Sequence, residues 1–293
     1  MVEIAISLAV IGIALVAIIG VLPIGMNTQR DNREETIINQ DATVFIEAIR
    51  GGARGLDDLT NYVYAITNYW GRYNLSGGLA ETNVDGYDYS GSHVTKPITP
   101  LPFCPLTNGL RIVGLLSTPE FTDLSFNPTN NLFNGGYSNH VVAYVRSLSG
   151  PAVEKPPQPN DSIIREDSFG YRILCVNAPV AVDMPPAWQA ALSYNAGAQV
   201  YWLQVYWQAT AATSASDEPG SSPKWGRVVP YAQELAANLH ELRLTFLWPQ
   251  QPNGKVGPGR QTFRTMVAGQ IAQTYTNGQW LYFYQSQSFV NTP

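Results

Sequence analysis

Charge is the scarcest commodity in this chain. Lys, Arg, Asp and Glu make up 13% of the 293 residues, against about 25% in an ordinary globular protein. The net charge is -5, so the chain lacks the basic footprint that nucleic-acid binding requires. Gly, Pro, Asn, Ser, Thr and Tyr fill the places that charges usually occupy, a composition that suits an extracellular surface packing against copies of itself. Cysteine is nearly absent as well. Cys104 and Cys175 are the only two, with no C-x-x-C and no metal-ligand spacing around them, so no zinc site is expected. In an oxidising compartment the pair reads as one disulfide; two buried free thiols are the other reading.

Catalytic patterns are missing too. The sequence contains no H-E-x-x-H, G-x-S-x-G, phosphate-binding loop or dinucleotide glycine pattern. His93, His140 and His240 are scattered through the chain. Asp85 and Asp88 are too few for a calcium loop and read as a solvated turn. No enzyme, cofactor or metal is expected.

One stretch lacks charge altogether. Between Ile4 and Gln29 there is none, and Ile4 to Met26 is almost wholly Ile, Val, Leu, Ala and Gly. As a helix this run covers roughly 30 to 40 Å, enough for a bilayer core of about 30 Å. A cleavable signal peptide fits poorly, because the chain opens with an acid and the run exceeds the usual 7 to 15 residues or so. A plain membrane anchor accounts for the run but leaves Glu3 unexplained, since a carboxylate beside lipid is costly unless it reaches the interface or a partner. Gly20, Pro23 and Gly25 make residues 20 to 26 the expected place for a kink or melted turn.

The opening Val2-Glu3-Ile4-Ala5-Ile6-Ser7-Leu8-Ala9-Val10-Ile11-Gly12 resembles the mature N-terminus of type IV pilins and type II secretion pseudopilins, in which an acid near the start precedes an apolar helix. Glu3 stands nearer the start than that pattern places its acid, and Pro23 follows it at a longer interval. The likeness covers about the first 50 residues. It implies a subunit of a helical homo-oligomeric filament, held in the inner membrane before assembly and on the bacterial cell surface afterwards. Its implied partners are a prepilin peptidase, an assembly ATPase and an inner-membrane platform protein. By the same resemblance, Met1, Glu3, Ile4, Leu8, Val10, Ile11, Leu15 and Ile18 form the assembly surface, with Glu3 facing an N-terminal amine. A minor pseudopilin and a non-polymerising anchored surface protein are the alternatives.

Beyond the anchor the sequence predicts an α+β fold: a long N-terminal hydrophobic helix, residues 1–55, packed on an antiparallel β-sheet domain over 56–293. Ile38, Ala42, Phe45 and Ile49 recur at helical spacing. Leu59, Val63, Ile66 and Trp70 suggest a second amphipathic helix behind Asp57 and Asp58. Residues 71–109 read as long loops. Strands are expected at 110–116, 140–145, 171–182, 199–208, 242–248, 262–267 and 280–284. Asn253-Gly254 and Asn277-Gly278 are expected turns. Asn74-Leu75-Ser76 and Asn160-Asp161-Ser162 fit the N-glycosylation pattern.

Overall fold

A computed structural model describes residues 2–52, 57–74, 78–88, 106, 108–122, 125–127, 132–149, 169–180, 183–203, 205–251, 254–276 and 279–289. The chain opens with one helix, α1, Val2–Arg50. Arg50 is followed by Gly51 and Gly52, and Gly52 takes a positive φ of 64°. A side chain there would also meet the Tyr284 carbonyl at 2.7 Å. Glycine therefore ends the helix both by conformation and by close approach.

A single 3-10 turn, Asp57–Asn61, leads into β1, Val63–Tyr73, and β2, Leu79–Asp88. The expected second helix is thus a strand. Val63, Tyr64, Ile66, Thr67, Tyr69 and Trp70 are β-branched or aromatic, and those side chains favour the pleated surface over the helix. Part of the expected loop is likewise β2, whose polar residues pair with β1 from Ala65 opposite Asp88 to Tyr73 opposite Leu79.

The opposite correction applies to residues 110–116, which form α2, Gly109–Leu116, and not a strand. Short apolar runs fit both periods, and here the cap decides. Asn108 Oδ1 accepts the Arg111 N–H at 2.9 Å, while at the far end the Ser117 and Thr118 hydroxyls donate to the carbonyls of Val113 and Leu115.

The remaining strands are β3, Phe121–Thr122, β4, Ser125–Asn127, β5, Leu132–Asn134, β6, Tyr137–Arg146, and β7, Gly170–Pro179. After them come β8, Gln199–Trp202, β9, Val205–Ala209, and β10, Trp225–Arg227. The expected single strand over 199–208 is therefore a hairpin, turning at Leu203. Helix α3, Tyr231–Asn238, precedes β11, Leu239–Gln250, β12, Val256–Ala268, β13, Gln270–Thr276, and β14, Gln279–Gln285.

The main sheet is antiparallel, in the order β12-β11-β7-β6-β1-β2, with β3 added on β6. Strands β11 and β12 form the hairpin expected around Gly254, and β13 pairs β14 in a separate two-stranded sheet. Asn253, Asn277 and Gly278 lie outside the described residues. The expected helix stripe is at the centre of the core: Ile38, Ala42, Phe45 and Ile49 are all at most 1% exposed. They pack with Ile66, Val141, Ala143, Ile173, Leu244 and Phe246 of the sheet, and full burial of each large side chain stabilises the docked helix by about 1.5 to 3 kcal/mol. A smaller cluster of Val200, Ala209 and Trp225 holds the β8 to β10 sheet together, with Trp188, Tyr194 and Trp207 packed around it.

Candidate assembly helix

Two halves of α1 face different surroundings. The first is apolar on every side, because Ile, Val, Leu and Ala follow one another without a polar stripe. A helix with no wet face has no orientation in which water is a good solvent. Among the described residues no part of this apolar stretch is buried by the protein, and α1 is long and apolar enough to cross a membrane. Ile4, Leu8, Val10, Ile11, Leu15 and Ile18 are between 53% and 66% exposed. Met1 lies outside the described residues.

Glu3 sits in the first turn, where the helix dipole favours an acid. Ser7, one turn on, donates its hydroxyl to the Glu3 carbonyl at 2.9 Å. These are the only polar side chains before Asn27.

No turn over 20–26 is melted. The helix runs through Gly20, Pro23 and Gly25 without interruption. A proline inside a helix removes one N–H donor, while the turns on either side keep their own hydrogen bonds. A Cβ added at Gly20 or Gly25 would meet nothing within 4 Å.

From Asn27 to Thr36 the helix is still exposed but polar. Arg30 Nε donates to Glu34 at 2.8 Å across one turn, a pair placed where such contacts support a free helix. Beyond this neck, α1 enters the domain.

Its anchor includes an acid that periodicity alone does not mark out. Asp41 is 1% exposed and lies in the buried phase between Ile38 and Phe45. Its carboxylate accepts the Leu148 N–H at 2.9 Å, the Ser149 hydroxyl at 2.7 Å and the Tyr171 hydroxyl at 2.8 Å. These groups come from the end of β6 and the start of β7, so Asp41 fixes the helix in register with the sheet. Burial pushes its carboxyl above the usual carboxylate range, and the three hydrogen bonds oppose that rise. The sequence signal was there to be read: an acid at i+3 from Ile38, inside an apolar stripe.

Cys175 is a free thiol on the core side of β7, 3% exposed. Cys104, the partner in the expected disulfide, lies outside the described residues. A thiol facing inward from mid-sheet packs as a small hydrophobe, and burial pushes its ionisation far up. Asn160 and Ser76 of the glycosylation patterns also lie outside the described residues. In comparisons with known proteins, no family model, no curated protein and no solved structure matches the chain.

Proposed function

We propose that this chain is a structural subunit of a pilin-like filament, held in a membrane by the first half of α1 and polymerising when that half is gathered into a helical bundle with other copies. The observation that carries the reading is the division of α1. Its first half exposes apolar side chains on all sides, and its second half is locked into a β domain by the core and by Asp41.

Apolar surface of that extent must leave water. A bilayer satisfies it first; a bundle of identical helices satisfies it in a polymer, through a repeated contact that does not close into a ring. On this reading the subunit performs no chemistry, and extraction is driven by an inner-membrane platform and an ATPase after a peptidase has acted. Glu3 would pair with an N-terminal amine in the bundle, where an unpaired charge at the wrong depth is strongly disfavoured.

The test is Val10→Asp, with Glu3→Gln beside it, scored by electron microscopy of sheared cell surfaces and mass spectrometry of the fibres. We expect fibres of this chain in wild type, none from Val10→Asp, and poor polymerisation from Glu3→Gln with normal membrane insertion. Membrane-held protein that never yields fibres in wild type would reduce the reading to a plain anchored surface protein. Normal fibres from Val10→Asp would remove it.

A further inference from the structure

The core face of the main sheet changes character along β1. Ile66 and Tyr87, opposite one another, belong to the core, as do Val141 and Ala143 of β6. One, two and three same-face positions further, β1 carries Asn68, Trp70 and Arg72, opposite Asp85, Asn83 and Glu81 on β2. Asn139 lies across from Trp70 on β6.

Here the sheet becomes a polar shelf. Asn68 Nδ2 donates to Asn139 Oδ1 at 3.0 Å, and Asn139 Nδ2 reaches the Pro119 carbonyl at 3.2 Å and Thr122 Oγ1 at 3.3 Å. Trp70 Nε1 donates to Asp85 Oδ2 at 2.9 Å. The Trp70 and Tyr137 rings meet edge to face at 5.7 Å.

One feature of this shelf calls for a hydrogen-bond donor from outside. Asp85 is half-buried, and desolvation raises its carboxyl above the ordinary range with no cation contributing. Arg72, a nearby cation, is engaged with Glu81 at 3.2 Å. The shelf therefore offers an acceptor carboxyl and aromatic surface together.

We propose that this shelf binds an uncharged saccharide, whose hydroxyls donate to Asp85 and whose C–H face lies against Trp70 and Tyr137. Sugars present just this pairing of dense O–H donors with an apolar face, whereas a basic peptide would bring charge and no comparable apolar plane.

The position suits a ligand met from outside. Asp41 holds the chain at Leu148, beyond the C-terminal end of β6, and Asn139 lies near its N-terminal end. At roughly 3.4 Å per residue, about 24 Å of strand lies between Asn139 and the end of β6. The site is thus at the end of the sheet away from the point where Asp41 anchors α1. It does not depend on the assembly reading.

The experiment uses the full chain in a detergent without a sugar headgroup, titrated with maltose, lactose, cellobiose and chitobiose. Saturation-transfer NMR and tryptophan fluorescence report binding, with thermal unfolding confirming that each variant is folded. At least one disaccharide should bind, Asp85→Asn should weaken it by about tenfold, as loss of a hydrogen bond to a charged group does, and Trp70→Phe should weaken it several-fold. Tyr275→Phe, on the β13 to β14 hairpin, should change nothing. Absence of a signal with all four sugars at about 10 mM, where even weak sites fill, would overturn the proposal. So would equal binding by both variants, or binding of a lysine-rich peptide in place of every sugar.

Discussion

At the residue scale the buried polar groups carry the clearest consequences. Asp41 is the acceptor for three donors that water cannot reach easily, so Asp41→Ala should cost roughly 2 to 4 kcal/mol in chemical denaturation. Asp41→Asn keeps an acceptor and loses the charge. Because burial raises the folded-state ionisation of Asp41, the folded protein holds that proton more tightly than the unfolded chain. Its contribution to stability is therefore present at low pH and is lost as pH rises from about 4, the unfolded value, through the folded value. Relative to wild type, Asp41→Asn should gain stability as pH rises through that window, and parallel curves would show that Asp41 does not titrate there.

His240 works in the opposite sense. It is 7% exposed, opposite Val267 and 5.7 Å from the Tyr284 ring, and burial lowers its affinity for a proton. The unfolded chain binds that proton at about pH 6.5 and the folded chain does so only at lower pH, so stability should fall as pH drops below about 6.5. His240→Phe should flatten this limb in thermal melts.

At the element scale α1 shows what one dimension can and cannot reveal. The stripe of Ile38, Ala42, Phe45 and Ile49 was legible because helical burial repeats within a few residues, and so was the alternation of β11, Leu242 to Trp248. Residues 63–70 and 110–116 were read in each other's place, since short apolar runs satisfy both periods until a cap or a cross-strand partner decides. Asn108, as an N-cap, was the local clue for α2. The polar shelf could not be read at all, because Asn68, Asp85 and Asn139 are brought together only by strand register. Phe45 shows how the docked half is held: its ring is fully buried and meets Phe246 at 6.5 Å. Phe45→Ala should cost about 3 to 5 kcal/mol, measured by urea unfolding, while leaving the membrane partition of the first half unchanged.

At the scale of the whole molecule, the exposed apolar half of α1 and the folded remainder are separable in solubility. A chain lacking residues 2–26 should be monomeric and soluble without detergent in analytical ultracentrifugation, because the core residues of α1 begin only at Ile37. Continued self-association of that truncated chain would place the self-association surface in the β domain.

The uninterrupted course of α1 through Pro23 has a mechanical meaning. With 49 residues at 1.5 Å each, the helix is a shaft about 70 Å long, free of a melted joint between its apolar end and the carboxylate of Asp41. A tilt of its apolar end by about 10° would swing the other end sideways by about 12 Å over that length. The β domain therefore takes its orientation from whatever grips the first half, and a pull on that half arrives, as torque, at the packed core stripe and the three hydrogen bonds of Asp41.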